Sequence, residues 1–196
     1  YAIMNFITYP ADIAAELGFE IPEKIGAWSE LTDFLVAWKE TLPENEYPVL
    51  VGGNPPGMES SFDFIVRTAM IGCVFGTTEV VSVFDDPAVM ERYRTMADWY
   101  ALGLVNPDAA QLTETSVDTT KERISFVQAW PGYDFSVSNG YNTEMTCYFG
   151  PNLSTDGVQG SMNALSITLE DDPARMEAAL KYIELVHTDK LFCDTM

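Results

Sequence analysis

Positive charge is what this chain has least of. Ten Lys and Arg stand against thirty Asp and Glu in 196 residues, with a single His, for a formal charge of −20. A surface this acidic repels phosphate backbones and anionic bilayers, so nucleic acid is disfavoured as a partner. Cysteine is scarce too. Cys73, Cys147 and Cys193 are far apart, odd in number and never form C-x-x-C, which excludes a disulfide framework and a zinc motif. Two of them sit in apolar runs, which favours buried thiols. No run reaches the roughly 20 apolar residues that a membrane helix needs. Serine and cysteine have no nucleophile-elbow context, and Gly52-Gly53-Asn54 lacks the lysine of a phosphate loop. His187 stands at a helix end that favours cations, which argues against a catalytic base. The acids around 114–122 lack the spacing of a calcium loop. This reading therefore assigns no catalytic set, no metal and no cofactor.

Tyr1 opens directly on an apolar segment, without initiator methionine, signal peptide or basic flank, and Met196 follows a helical pattern. The sequence reads as a piece of a longer chain whose address or anchor lies outside it.

What is present is ample apolar material, 47% of residues, enough for an α/β domain or a two-lobed unit. Tyr1–Thr8 is rich in β formers and predicts a buried strand. Pro10 opens and Gly18 closes a short helix over Ala11–Leu17. From Ser29, taken as a cap, Leu31, Phe34, Leu35 and Trp38 follow helical spacing, and Pro43 ends the helix. Tyr47–Val51 predicts a strand that runs into a loop from Gly52 to Gly57. Phe62, Ile65 and Ala69 suggest a helix over Glu59–Ile71, packed on the sheet. Gly72–Phe84 reads as an irregular strand pair turning at Gly76-Thr77. Asp85-Asp86-Pro87 then starts a helix whose apolar face is Val89, Met90, Tyr93, Met96, Ala97 and Tyr100, closed by Gly103. Asp171-Asp172-Pro173 starts the last helix, with Met176, Ala179, Leu180, Ile183 and Val186 on its buried face. Capping explains both Asp pairs better than a general acid and base do.

The stretch from Lys121 to Glu170 predicts three strands, Ile124–Ala129, Thr143–Phe149 and Ser161–Leu169. The first ends in Trp130-Pro131-Gly132-Tyr133, at the strand end where open α/β sheets bind ligands. Pro131 stiffens the backbone and Gly132 permits close approach, so Trp130 and Tyr133 are candidates for a stacking surface. A pyranose offers axial hydrogens on one face and hydroxyls around its edge. It suits flat rings bordered by short polar groups, for which Asp134, Asn54, Asn163, Ser161 and Asn139 are candidates. Core packing is the competing role for Trp130, and the assigned role of Trp28, Trp38 and Trp99.

The order RYRTMADWYALGLVNPDAA, polar loop, KERISFVQAWPG, strand, GPN, glycine-rich turn, SMNALSIT and DDPARMEAALKYIELVHTD resembles the extracellular solute-binding proteins of ABC transporters. It looks most like the family 1, sugar-binding group that includes maltodextrin-binding proteins, and the related lipoprotein-type binders of Firmicutes. The resemblance covers Trp28 to the end and is strongest after Glu91. It implies an α/β, periplasmic-binding-protein-like (type II) lobe with a central mixed sheet flanked by helices. Ala129-Trp130-Pro131-Gly132-Tyr133 matches the place where that group stacks a sugar, and Met145–Pro151 matches the return crossing between lobes. On this likeness residues 1–196 are mostly the second lobe of a two-lobed protein, with 1–8 and 143–151 as crossing segments and 171–190 as the C-terminal helix. It also implies a carbohydrate solute, a membrane permease as partner, and an extracellular lipoprotein, periplasmic in a Gram-negative cell.

Two other classes remain. A carbohydrate-active hydrolase needs two carboxylates flanking the rings at about 5 to 9 Å, and Asp134 has no partner nearby in sequence. An acidic protein-interaction module would use the same aromatics on a protein surface. Within binding proteins, a peptide or another small polar solute is the alternative ligand.

Overall fold

The computed structural model describes residues 3–52, 58, 61–66, 69–112, 121–129, 133–152 and 165–189, and the chain divides into two compact units, Tyr1–Thr155 and Asp156–Met196. In the first unit the elements are β1 (Ile3–Pro10), α1 (Ala11–Glu16), α2 (Thr32–Thr41), β2 (Phe62–Val66), β3 (Ile71–Val74), β4 (Val80–Ser82), α3 (Pro87–Ala101), β5 (Ser125–Ala129), α4 (Ser136–Asn139) and β6 (Thr143–Asn152). The second unit holds α5 (Pro173–Thr188).

β1 is the middle strand of an antiparallel sheet ordered β5-β1-β6. It pairs with β5 from Met4–Ala129 to Thr8–Ser125, and with β6 from Pro10–Thr143 to Ile3–Asn152, with register irregularities on either side of Asn5. Parallel bridges widen this sheet. Val49 pairs with both Ile124 and Val105, and Lys24 pairs with Cys147, which makes the whole mixed. Tyr47–Val51, expected as a strand, contributes only the Val49 bridge. Its neighbour Val51 is held instead by a side chain, since Asn106 Oδ1 accepts from Val51 N–H at 2.8 Å and Asn106 Nδ2 donates to Val51 C=O at 3.0 Å.

Alternation along β1 separates two cores. Ile7 and Tyr9 enter the main one, with Trp28, Phe34, Leu35, Trp38, Trp99, Ile124 and Phe126. Phe6 points the other way, onto Ala129 and Cys147. A strand covered on both faces does not alternate apolar and polar residues, and in IMNFIT even Asn5 and Thr8 are buried. Trp28, Trp38 and Trp99 are all buried, as expected.

The helices start as the local chemistry requires, with two corrections. Glu30, not Ser29, satisfies the backbone before α2. Its Oε1 accepts from Gly26 N–H at 2.8 Å and Ala27 N–H at 2.9 Å, and a 3-10 turn over Trp28–Leu31 precedes the helix. Asp86 caps α3 by accepting from Ala88 and Val89 N–H, and Gly103 (φ 72°) follows its end. The buried face of α3 is Val89, Arg92, Thr95 and Trp99, whereas Ala97 and Tyr100 are exposed. A helix that carries inward an Arg bonded to the Met58 carbonyl and a Thr bonded to the Glu91 carboxylate is not visible to an apolar count.

Glu59–Ile71 is not a helix. Phe62–Val66 forms β2, antiparallel to β3, which is antiparallel to β4 around the Gly76 turn (φ 84°). Phe62 is buried with Val83 and Val89, and Phe64 packs beside them, so period-two alternation of aromatic residues outweighs the helical spacing of Phe62, Ile65 and Ala69. Cys147 is buried and Cys73 half-buried, both as free thiols.

In the second unit Asp172 caps α5, accepting from Arg175 N–H at 3.1 Å. Met176, Ala179 and Ile183 are half-buried, while Leu180 is exposed. Of the strand expected over Ser161–Leu169, residues 161–164 lie outside the described residues. Ile167–Leu169 is a 3-10 turn instead, begun by Ser166, whose hydroxyl accepts from Thr168 N–H. A serine that offers its own acceptor to the backbone competes with strand pairing.

Candidate functional site

β5 runs antiparallel to β1 and delivers the chain at Ala129 into the segment singled out by its aromatic residues. Tyr133 and Phe135 bring their rings to 4.4 Å between centroids, tilted by 59°. Both are half-buried against Phe6, Ala129 and Cys147, on the face of the sheet opposite the main core. Asp134 lies between them and is exposed, and its Oδ1 accepts from Ser136 N–H at 2.8 Å. This bond starts α4, which Gly140 (φ 78°) ends in the left-handed region that glycine tolerates.

A ring of hydrogen bonds then ties α4 to the start of β6. Ser136 Oγ donates to Thr143 C=O at 3.3 Å and accepts from Thr143 N–H at 3.0 Å, and Asn139 Nδ2 donates to Thr143 Oγ1 at 3.2 Å. The segment between β5 and β6 is thereby pinned at both ends. Asn139, one of the polar candidates, has its amide committed to this structural bond.

Of the residues expected at the site, the structure brings Tyr133 and Asp134 together. Trp130, Asn54, Ser161 and Asn163 lie outside the described residues. Phe135 was not among the expected residues, although its signal was present: Tyr-Asp-Phe places two rings two residues apart, flanking a carboxylate. Two tilted rings and an exposed carboxylate can offer an apolar wall and a hydroxyl acceptor to a polar ring-shaped solute.

Two tyrosines and a cysteine of this unit are held in their neutral forms. Burial, then the 2.8 Å bond to Glu144 and the charge of that carboxylate, push the Tyr9 hydroxyl far above the ordinary tyrosine value. Burial also raises Tyr141, against the opposing pull of Arg123. Burial raises the Cys147 thiol, which keeps it protonated and a poor nucleophile. Among the described residues no three His, Cys, Asp or Glu side chains gather where they could hold a metal ion. No described helix is long and apolar enough to cross a membrane. A cavity of about 240 Å³ opens beside Tyr47, Lys121 and Glu122, and its described lining includes none of the expected site residues.

No family model matches the chain, and no curated protein matches it in sequence. Solved structures do. The N-glycan transport solute binding protein NgtS from Streptococcus pneumoniae, in complex with Man5GlcNAc, superposes with a TM-score of 0.66 and 17% identity, over 98% of this chain and 42% of that one. The same protein with Man1GlcNAc gives a TM-score of 0.60 at 18% identity, over 75% of this chain and 34% of that one. A third structure of it gives 0.59 at 18% identity, over 74% and 33%. The chain thus spans less than half the length of the proteins it matches. Its fold is the α/β fold of the solute-binding proteins.

Proposed function

We propose that this chain is part of the solute-binding component of an ABC importer and that its solute is a sugar or oligosaccharide. The observation that carries the reading is the superposition of nearly the whole chain on an N-glycan transport solute binding protein. The Tyr133–Phe135 ring pair beside exposed Asp134 agrees with it, at the end of a strand where the fold class binds ligands. In this reading Trp130 and Tyr133 stack on the solute, while Asp134, Asn54, Ser161 and Asn163 hydrogen-bond to its hydroxyls. Residues 1–8 and 143–151 are the segments crossing between lobes. The role is capture and presentation to a permease, not catalysis, and the full protein belongs outside the cell as a family 1 lipoprotein. Closure around ligand would then be a hinge motion biased by contacts to both lobes.

The test is a thermal-shift screen of the full-length protein against neutral oligosaccharides, followed by calorimetry and a check for turnover. A ligand that binds the folded state raises the melting temperature in proportion to its concentration over Kd. One saccharide that stabilises and is recovered intact supports the reading. Bond cleavage would replace it with a hydrolase, and no response to any saccharide would remove it.

A further inference from the structure

One place in the first unit breaks the rule that buried polar atoms are paired. Asn5 is fully buried, yet neither its Oδ1 nor its Nδ2 has a hydrogen-bond partner, and the same holds for Thr146 Oγ1 and Trp28 Nε1. The register places Asn5 and Thr146 on one face. Ile7 lies opposite Thr146 on β6 and opposite Phe126 on β5, so Thr146 shares the face of Ile7. Asn5 is two residues from Ile7 along β1 and faces the same way. Trp28 covers that face from above: it stacks on Phe126 at 4.5 Å and meets Tyr148 edge-on at 5.3 Å, on the strands that flank β1. The β1–β6 register is irregular at Asn5, which opens the ladder where the amide sits. The other indole of this stack, Trp99, is paired: its Nε1 donates to Thr32 Oγ1 at 2.9 Å.

We infer that Asn5, Thr146 and the Trp28 indole N–H form a site for one or two buried, ordered water molecules beneath Trp28. The donor and acceptor inventory fits. Trp28 can only donate, Asn5 offers two donors and an acceptor, and the Thr146 hydroxyl does either. A buried water in a protein makes about three such bonds. An asparagine inside IMNFIT is then a water ligand in an otherwise dry strand.

The test has two arms on the full-length protein. A crystal structure that resolves ordered solvent is expected to show density within hydrogen-bond distance of Asn5 and at least one of the other two groups. Asn5 bonding directly to Thr146 or Trp28 with no solvent between would overturn the inference. In the second arm Asn5→Leu, Thr146→Val and the double variant are compared by urea midpoint. Groups sharing one water couple, so the double variant is expected to lose clearly less than the sum of the single losses. Additive losses would count against a shared water, and if a variant fails to fold, the crystallographic arm decides.

Discussion

The indole of Trp28 lies flat on Phe126, 4.5 Å between ring centroids, and edge-on to Tyr148 at 5.3 Å, so one side chain roofs the central strand from both of its neighbours. Trp99 lies nearly parallel to it at 6.2 Å, and Trp28 itself is 1% exposed. Trp28→Ala leaves a void among three aromatic rings, and is expected to cost ~3–5 kcal/mol. Urea unfolding followed by circular dichroism checks this, since a midpoint shifted by under a fifth of that loss would show that Trp28 does not hold the sheet to its covering helices.

Gly72 tests the β2–β3 pairing that replaced the expected helix. A Cβ built there would stand 2.4 Å from the Asp63 carbonyl oxygen and 2.9 Å from Phe62 Cδ1, and the first of these belongs to the backbone. Gly72→Ala is therefore expected to destabilise by about 1–3 kcal/mol. If Phe62–Val66 were helical and did not pair with β3, no backbone would stand against the new Cβ and the same change would be neutral or stabilising. The sign of the change in melting temperature separates the two structures.

The Tyr9 hydroxyl gives a pH dependence whose sign is fixed. Its folded-state pKa is raised, chiefly by burial and then by Glu144, above the unfolded value near 10. The unfolded chain therefore loses this proton first as pH rises, and stability present below about pH 10 declines above it. Tyr141, raised in the same direction, adds to the slope. Urea midpoints measured from pH 8 to 11 should fall, and Tyr9→Phe should flatten the fall. An unchanged slope in the variant would mean that Tyr9 titrates alike in both states.

The proposed platform makes a prediction that distinguishes binding from packing. Trp130→Ala is expected to weaken saccharide binding by roughly 1–3 kcal/mol with the fold intact. Tyr133→Ala should weaken binding and also lower stability, because Tyr133 packs on the Phe6, Ala129 and Cys147 cluster. Calorimetry and melting of the two variants, side by side, check both halves. Trp130→Ala unfolding the protein would assign that residue to the core.

Much of the first unit was legible because single residues announce element ends. Asp86 before Pro87, Gly18 and Gly103 act through backbone geometry that needs no tertiary partner, and each stands where it was expected. β2 was not legible, because Phe62, Ile65 and Ala69 fit a helix while Phe62 and Phe64 fit a strand. The choice between them is made by β3, which the local sequence does not show. Arg92 likewise reads as a surface charge until the fold places it under Tyr148, 5.3 Å from the ring, with Nη1 on Met58 C=O. At the site, Tyr133 and Asp134 are adjacent by chain connectivity alone, so their meeting tests little. Phe135 was missed because the turn that folds it back depends on Asp134 accepting from Ser136.

β1 is the middle strand of its sheet, and its hydrogen-bonding neighbours β5 and β6 are synthesised long after it. Thr8 and Ser125 are 117 positions apart, and Tyr9 and Glu144 are 135 apart. Closing such wide loops costs entropy before any pairing repays it, which slows folding of nonlocal sheets. A nascent chain therefore carries β1 as an unpaired, oily ribbon until more than a hundred further residues have left the ribosome. During that interval, shielding by a chaperone matters more to yield than the final stability does.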